Sequence, residues 1–232
     1  MTNQSLCIVF NTESVVGKAA IKSAKSRYYK VHKLKYEKNF IKTKKLDDKI
    51  SFYKEKIQFI NKNKYERISL ICNTINKNQN FDRENFINDV LAVILAFSEI
   101  TNKSIDNRVT LVGTVESYDF LKLNNSNIEG KIYTNLLGKN ANNVRMDGSI
   151  TPIVKYLAVN LGHLNFKVNA ALFAPIENLS PKNVINGYQS KSLIKLPIKE
   201  LDITNSLDIF IDPSNIYMTG QLIKFDGGVS IW

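Results

Sequence analysis

Thr219-Gly-Gln-Leu-Ile-Lys-Phe-Asp-Gly-Gly228 joins a turn, a short apolar strand and a glycine pair at fixed spacing. Glycine supplies positive φ without steric cost, so a pair of them marks a sharp change of chain direction. Upstream, Leu157-Ala-Val-Asn-Leu-Gly162 closes an apolar helix read over Ile150 to Leu161. Phe166-Lys-Val-Asn-Ala170 then opens a strand, with Lys167 to Leu172 as its apolar body.

The same alternation runs outward to the N-terminus. Leu6-Cys-Ile-Val-Phe10 is a short apolar run bounded by the polar stretch Asn11-Thr-Glu-Ser14. From Val16, small and apolar residues (Ala20, Ile21, Ala24) recur at helical spacing until near Tyr28. Val31 to Tyr36 alternates as a second strand, and Asp47 to Asn61 is an amphipathic helix with Ile50, Tyr53, Ile57 and Ile60 on one side. Ile68 to Cys72 is a buried strand, Phe86 to Ile100 a helix apolar on most sides, and Val109 to Val112 a strand. Strands alternating with helices of this length predict an α/β, Rossmann-like, doubly wound parallel sheet with helices on both faces. Residues 121–147 and 174–195 depart from the rhythm and read as irregular insert or lid segments within a single domain, 1–232.

Length and composition fit one such domain: 232 residues with 44% hydrophobic content supply a real core. No apolar run approaches the roughly 20 residues of a membrane span, and the N-terminus lacks a signal-peptide layout. The expectation is a cytoplasmic protein with no membrane contact. Cys7 and Cys72 fall in predicted strands and fit a reducing compartment. Two cysteines and two histidines, scattered, do not make a metal cluster, so no metal is expected. The net charge of +11 is concentrated between Lys18 and Arg67, which hold more than half of the 32 Lys+Arg residues. No nucleic-acid motif accompanies this charge, and the lysines alternate with Ile, Phe and Tyr as on a solvated helix face, so nucleic-acid binding is not expected.

The two C-terminal stretches quoted above resemble the "LAxELG…IRVNxV" passage and the "TGQxxxVDGG" ending of the short-chain dehydrogenase/reductase family. With the N-terminal strand–turn–helix, the resemblance covers nearly the whole chain. It implies about seven parallel strands. It also implies homodimers or homotetramers, or a hetero-oligomer with a catalytic paralogue, built on the helices Phe86–Ile100 and Ile150–Leu161. Helices apolar on most sides support that expectation independently.

The resemblance then locates the positions that bind NAD or NADP. The family's TGxxxGxG turn, whose glycines let the backbone approach a pyrophosphate, corresponds to Phe10-Asn11-Thr12-Glu13-Ser14-Val15-Val16-Gly17. Only Gly17 survives, and it reads as a helix–sheet packing glycine. Val15 places a β-branched side chain where a phosphate would lie, Glu13 adds negative charge, and Ser14 offers a hydroxyl. Asp47 matches the family's acidic adenine contact, or else is a helix N-cap. Asn73 is what remains of the NNAG stretch. Lys33 and Lys35 stand where a 2′-phosphate would be met.

The family's chemistry uses a tyrosine as general acid/base, a lysine that lowers its pKa, a serine on the substrate carbonyl and an asparagine on a relay water. By the resemblance, Asn143 occupies the tyrosine position, Asp147 the lysine position, Val90 the asparagine position and Thr114 the serine position. Asn143 cannot exchange a proton near neutral pH, and Asp147 would raise the pKa of a neighbouring acid. Tyr118 and Lys122 form an alternative YxxxK pair, as do Tyr29 and Lys33. With ten tyrosines in a Lys-rich chain, roughly one such match arises by chance. The family's Pro-Gly after the sixth strand is Phe173-Ala174 here.

Packing elements are kept while phosphate, nicotinamide and proton-transfer positions are altered together. The expectation is therefore a non-catalytic or structural subunit that binds no cofactor. The alternative is an active NAD(P)H-dependent carbonyl oxidoreductase using Thr114 with Tyr118 or Tyr133. A further option is a pocket near Thr114 and Ala174–Lys195 that binds a carbonyl compound without chemistry.

Overall fold

The computed structural model describes residues 4–36, 45–62, 65–75, 83–115 and 150–231. Six segments become strands: β1 (Gln4–Phe10), β2 (Lys30–Leu34), β3 (Tyr65–Asn73), β4 (Asp106–Thr114), β5 (Phe166–Phe173) and β6 (Leu222–Phe225). The apolar runs among them, at β1, β3, β4 and β5, are buried on both faces as in the middle of a parallel sheet. All pairings are parallel, and the order across the sheet is β2-β1-β3-β4-β5-β6.

Side chains alternate between two apolar layers. Leu6, Ile8, Phe10, Leu70, Leu111 and Val168 face α2 (Leu46–Ile57), α3 (Arg83–Ile100) and α4 (Ile150–Gly162). Cys7, Val9, Ile71, Val112, Ala171 and Phe173 face α1 (Val15–Ser26) and α6 (Glu200–Ile211). Helix α1 buries Gly17, Ala20 and Ala24, small residues that let it lie close to the sheet. This is the doubly wound architecture expected from the alternation.

Three expectations are corrected. The resemblance implies about seven strands, and the described residues form six. Between β2 and β3 the described residues hold α2 and a 3-10 turn, Gln58–Lys62. A further parallel strand outside β2 would need its own crossover of a dozen or so residues. β2 is the edge of the described sheet, and exposed Lys30 and Lys33 place charge along it, a common guard against edge pairing.

The segment 174–195 is not irregular. It contains α5 (Lys182–Lys191), and the strap that follows is tied down by Leu193 N and Ile194 N donating to Gly227 O at 2.9 and 3.1 Å. Its polar composition reflects a helix with no fully buried residue rather than missing structure. Asp47 is not an N-cap: Lys45 holds that position, and Asp47 sits exposed in the first turn of α2, where a carboxylate favours the helix dipole.

The two stretches that carry the family resemblance are bonded to each other. Asn169 Nδ2 donates to Met218 O at 2.9 Å, and Gln221 N donates to Asn169 Oδ1 at 3.0 Å. Val168 N donates to Thr219 Oγ1, and Gly220 N, at φ 69°, donates to Val168 O. These bonds set β6 in register beside β5. Gly227 and Gly228, at φ 59° and 85°, then turn the chain. A Cβ on Gly227 would lie 2.4 Å from Ser192 Oγ.

At the opposite, N-terminal end of the strands, Arg67, Arg108 and Lys167 converge on Asp106 at 2.7 to 3.0 Å. Arg108 also donates to the carbonyls of Phe210 and Asp212, satisfying the C-terminus of α6. Arg27 ties the end of α1 to Asp208 and Asp212. These groups bind layers together on the side away from the crevice described next.

Candidate functional site

In an open α/β sheet, ligands bind outside the carboxyl ends of the strands where the winding direction reverses. Here that point lies between β1 and β3, which end at Phe10 and Asn73. Asn11 follows β1 with φ 61°, a left-handed conformation that Asn adopts more readily than most side chains. The turn thus keeps a glycine-like backbone while carrying an amide.

That amide closes the crevice. Asn11 Nδ2 donates to Asn73 O at 3.2 Å, and Asn73 Nδ2 donates back to Asn11 O at 3.1 Å. Asn73 Nδ2 also donates to Ser14 Oγ at 2.7 Å, and Asn73 Oδ1 accepts from Ile75 N at 3.0 Å. Ser14 is the N-cap of α1, its Oγ accepting from Gly17 N at 3.1 Å, while Lys18 N donates to Ser14 O. The backbone of Asn11 is joined to β2 through Leu34 O.

Gly17 is required by packing. A Cβ there would meet Thr12 Cα at 2.6 Å and Asn11 O at 2.7 Å, both backbone atoms. The Asn73 donors and the Gly17 N–H already have partners within the chain. As arranged, with these donors already bonded, this turn does not fit a dinucleotide pyrophosphate.

The remaining positions are dispersed. Glu13 points to solvent and pairs with Lys35 at 3.5 Å, and Lys33 is exposed on the sheet edge. Val15 packs against the α1–α6 layer. Asp47 is exposed on α2 and belongs to no cluster with Asn73 or Ser14 among the described residues. Val90 is buried in the α2–α3–α4 layer. Thr114 is the half-buried last residue of β4, in register with Phe173. Phe173 is itself buried and stacked on Phe225, with centroids 5.1 Å apart. Tyr29 donates its hydroxyl to Ile211 O, so it anchors α6 and does not act with Lys33. Asn143, Asp147, Tyr118, Lys122 and Tyr133 lie outside the described residues.

Two features were not expected from sequence. Lys49 and Asp89 form an ion pair at 3.0 Å between α2 and α3, with side chains 1% and 0% exposed. Its one signal is spacing, since Lys49 falls in the row of Tyr53 and Ile57 that α2 buries. The reciprocal Asn11–Asn73 bonding is the other, signalled only by an amide at Asn11, in place of a glycine, and by the retained Asn73. Burial pushes the Cys7 thiol up to about 12 and raises that of Cys72 too, so neither supplies a thiolate nucleophile. Among the described residues no group of three potential metal ligands occurs.

Solved structures share this architecture over the full chain. A short-chain dehydrogenase family protein from Francisella tularensis matches with TM-score 0.63 and 17% identity, covering 100% of both chains. The aldohexose dehydrogenase of Thermoplasma acidophilum matches with TM-score 0.71 and 16% identity, over 99% of this chain and 95% of that one. A short-chain dehydrogenase from Leptospira borgpetersenii, solved with bound NAD+, matches with TM-score 0.68 and 14% identity, over 99% and 94%. The fold is that of the short-chain dehydrogenases. No protein-family model matches the chain, and no curated protein does. The short-chain dehydrogenase sheet is kept here with a crevice that is tied across. Among the described residues no helix is long and apolar enough to cross a membrane.

Proposed function

We propose that this chain is a degenerate member of the short-chain dehydrogenase/reductase family that has lost NAD(P)-dependent hydride transfer and serves as a non-catalytic, structural subunit. The observation that carries the reading is the exchange of hydrogen bonds between Asn11 and Asn73, with Ser14 as third partner. A dinucleotide that used the Asn73 amide or the Gly17 N–H would have to break these bonds. The substitutions at Val90, Asn143 and Asp147 agree with this loss, because none supplies a proton-relay group, a general acid or a base of the family's kind.

The subunit role draws support from α4. Ile150, Val154, Leu157 and Leu161 are buried, while Tyr156 and Val159 on its other side are 67% and 79% exposed. A helix apolar on both sides suits a second neighbour, either another copy of this chain or a catalytic paralogue. Free, buried cysteines suit the cytoplasm.

Thermal unfolding of the purified protein with and without millimolar NADH or NADPH tests the reading. A ligand at about 100 times its Kd stabilises by roughly 2.7 kcal/mol. The expected result is no shift with either dinucleotide. A clear shift overturns the proposal in favour of an active carbonyl oxidoreductase, for which Tyr118→Phe and Thr114→Val would be the next variants.

A further inference from the structure

Among the described residues β2 has a neighbouring strand on one side only, β1. Leu34 O accepts from Asn11 N at 3.0 Å, so the backbone of Leu34 faces β1. Backbone direction alternates along a strand, and Lys30 and His32 therefore face β1 as well. Val31 and Lys33 turn their N–H and C=O the other way, one donor and one acceptor each. They form a short ladder with room for another strand.

The surroundings of that ladder are apolar on both faces of the sheet. On one face Val31 is half-buried against the α1–α6 layer. On the other, His32 lies against Phe59 of the turn after α2, with ring centroids 4.6 Å apart, and both rings are half-buried. Burial holds the His32 imidazole below its ordinary pKa, so at neutral pH it offers an uncharged ring. A strand laid beside β2 would cover these side chains as well as the backbone groups.

The charges decide which strand fits. Between Tyr28 and Tyr36 the chain carries three lysines and no acidic residue. Lys35 pairs with Glu13, whereas exposed Lys30 and Lys33 have no carboxylate partner among the described residues. An odd separation puts Lys30 and Lys33 on opposite faces of the strand, at either end of Val31 and His32. A second copy of this chain, paired edge to edge, would bring four such lysines into one ladder, where like charges repel. The lysines that guard the edge against self-pairing are complementary to an acidic strand.

We infer that β2 takes up an extended segment of a partner protein as an added edge strand, and that this segment reads acidic–apolar–apolar–acidic. Its acidic residues lie beside Lys30 and Lys33, and its apolar pair lies beside Val31 and His32. The pattern is symmetric, so it serves a parallel or an antiparallel strand. Main-chain bonds to Val31 and Lys33 hold the segment, and side chains select it. The site is independent of the β1–β3 crevice, so it stands whether or not a dinucleotide binds there.

The test uses the acetylated, amidated peptide Thr-Glu-Val-Val-Glu-Thr and its counterpart Thr-Lys-Val-Val-Lys-Thr, titrated to millimolar concentration into the full chain. Amide NMR shifts and hydrogen exchange give the readout. The expected result is saturable shifts and slowed exchange at the Val31 and Lys33 amides, with the glutamate peptide about tenfold tighter than the lysine peptide. Lys30→Glu with Lys33→Glu, both at exposed positions, should reverse that preference. Val31→Pro removes one outward donor at an edge position where proline is tolerated, and should weaken binding several-fold. Absence of shifts at millimolar peptide, or shifts confined to other segments, overturns the inference. Binding that Val31→Pro leaves unchanged overturns strand addition. Equal affinity for the two peptides, or a charge-reversed variant with the parent's preference, overturns the assignment to an acidic partner. Concentration-dependent dimers that Val31→Pro abolishes would assign the edge to a second copy instead.

Discussion

Asn11 and Asn73 each donate a side-chain amide hydrogen to the other's backbone carbonyl, at 3.2 and 3.1 Å, across the ends of β1 and β3. Asn73 therefore does more than any one residue to hold the crevice shut, since it also serves Ser14 Oγ and Ile75 N. Asn73→Ala removes the three bonds of the Asn73 side chain and leaves only Asn11 Nδ2 on the residue's backbone carbonyl. A polar group left unsatisfied costs about 1–3 kcal/mol, so the expected loss is on the order of 3 kcal/mol in urea unfolding. Asn73→Asp should also destabilise, because a carboxylate oxygen would face the Asn11 carbonyl in place of a donor. A loss below about half a kilocalorie for both would mean that the crevice is held by something else.

Two glycines of the resemblance, Gly17 and Gly162, separate cleanly. Gly17→Ala drives a Cβ to within 2.6 Å of Thr12 Cα, where only the backbone can move. Overpacking of this kind costs about 1–3 kcal/mol. Gly162→Ala, at the end of α4, meets nothing within 4 Å and has no positive φ. It should be neutral or stabilise by about 0.4–1 kcal/mol through the unfolded chain. Urea midpoints of the two variants check both statements, and equal midpoints would refute the packing role of Gly17.

What could be read from residues alone follows from which forces act locally. The strands were legible because a parallel sheet buries both faces, and Leu6–Phe10 or Ile68–Cys72 cannot be anything solvated. The helix α6 was not recognised, although Ile203, Leu207, Phe210 and Ile211 lie at helical spacing. Its Ile, Thr, Asn and Ser residues are weak helix formers, and packing against α1 and the Arg27–Asp208 tie decide the matter. Helix α5 was hidden for the opposite reason: it buries nothing completely, so it has no apolar stripe to read. At the candidate site the losses could be read one position at a time. The bonding that joins Asn11, Ser14 and Asn73 needed coordinates, because their separation in sequence carries no local signal.

Asp106 gives a pH dependence with a definite sign. Burial acts against its charge, but hydrogen bonds from Arg108, Arg67 and Lys167 outweigh it and hold the carboxyl well below the ordinary range. A folded pKa below the unfolded one contributes stability that is full above about pH 4, the unfolded carboxylate value, and lost as pH falls through the folded value. Asp106→Asn should therefore be less stable than the parent at pH 7, with the difference shrinking as pH falls below about 4. Denaturation at pH 7, 4 and 3 measures it. A difference that stays constant across this range would show that Asp106 acts by shape and not by charge.

Lys49 and Asp89 test whether a buried ion pair holds α2 to α3 or merely tolerates its place. Both side chains are out of water, so removing one partner leaves a buried charge without its ion-pair mate. Lys49→Met alone, or Asp89→Leu alone, should destabilise by about 3–5 kcal/mol. The double variant restores an apolar contact between the helices, and such replacements are often neutral or stabilising. It should therefore lose much less than the sum of the two single losses. A double-mutant cycle in guanidinium chloride gives the coupling directly. Strictly additive losses would mean that the two charges do not act as a pair, and that the α2–α3 contact rests on Tyr53 and Ile57 instead.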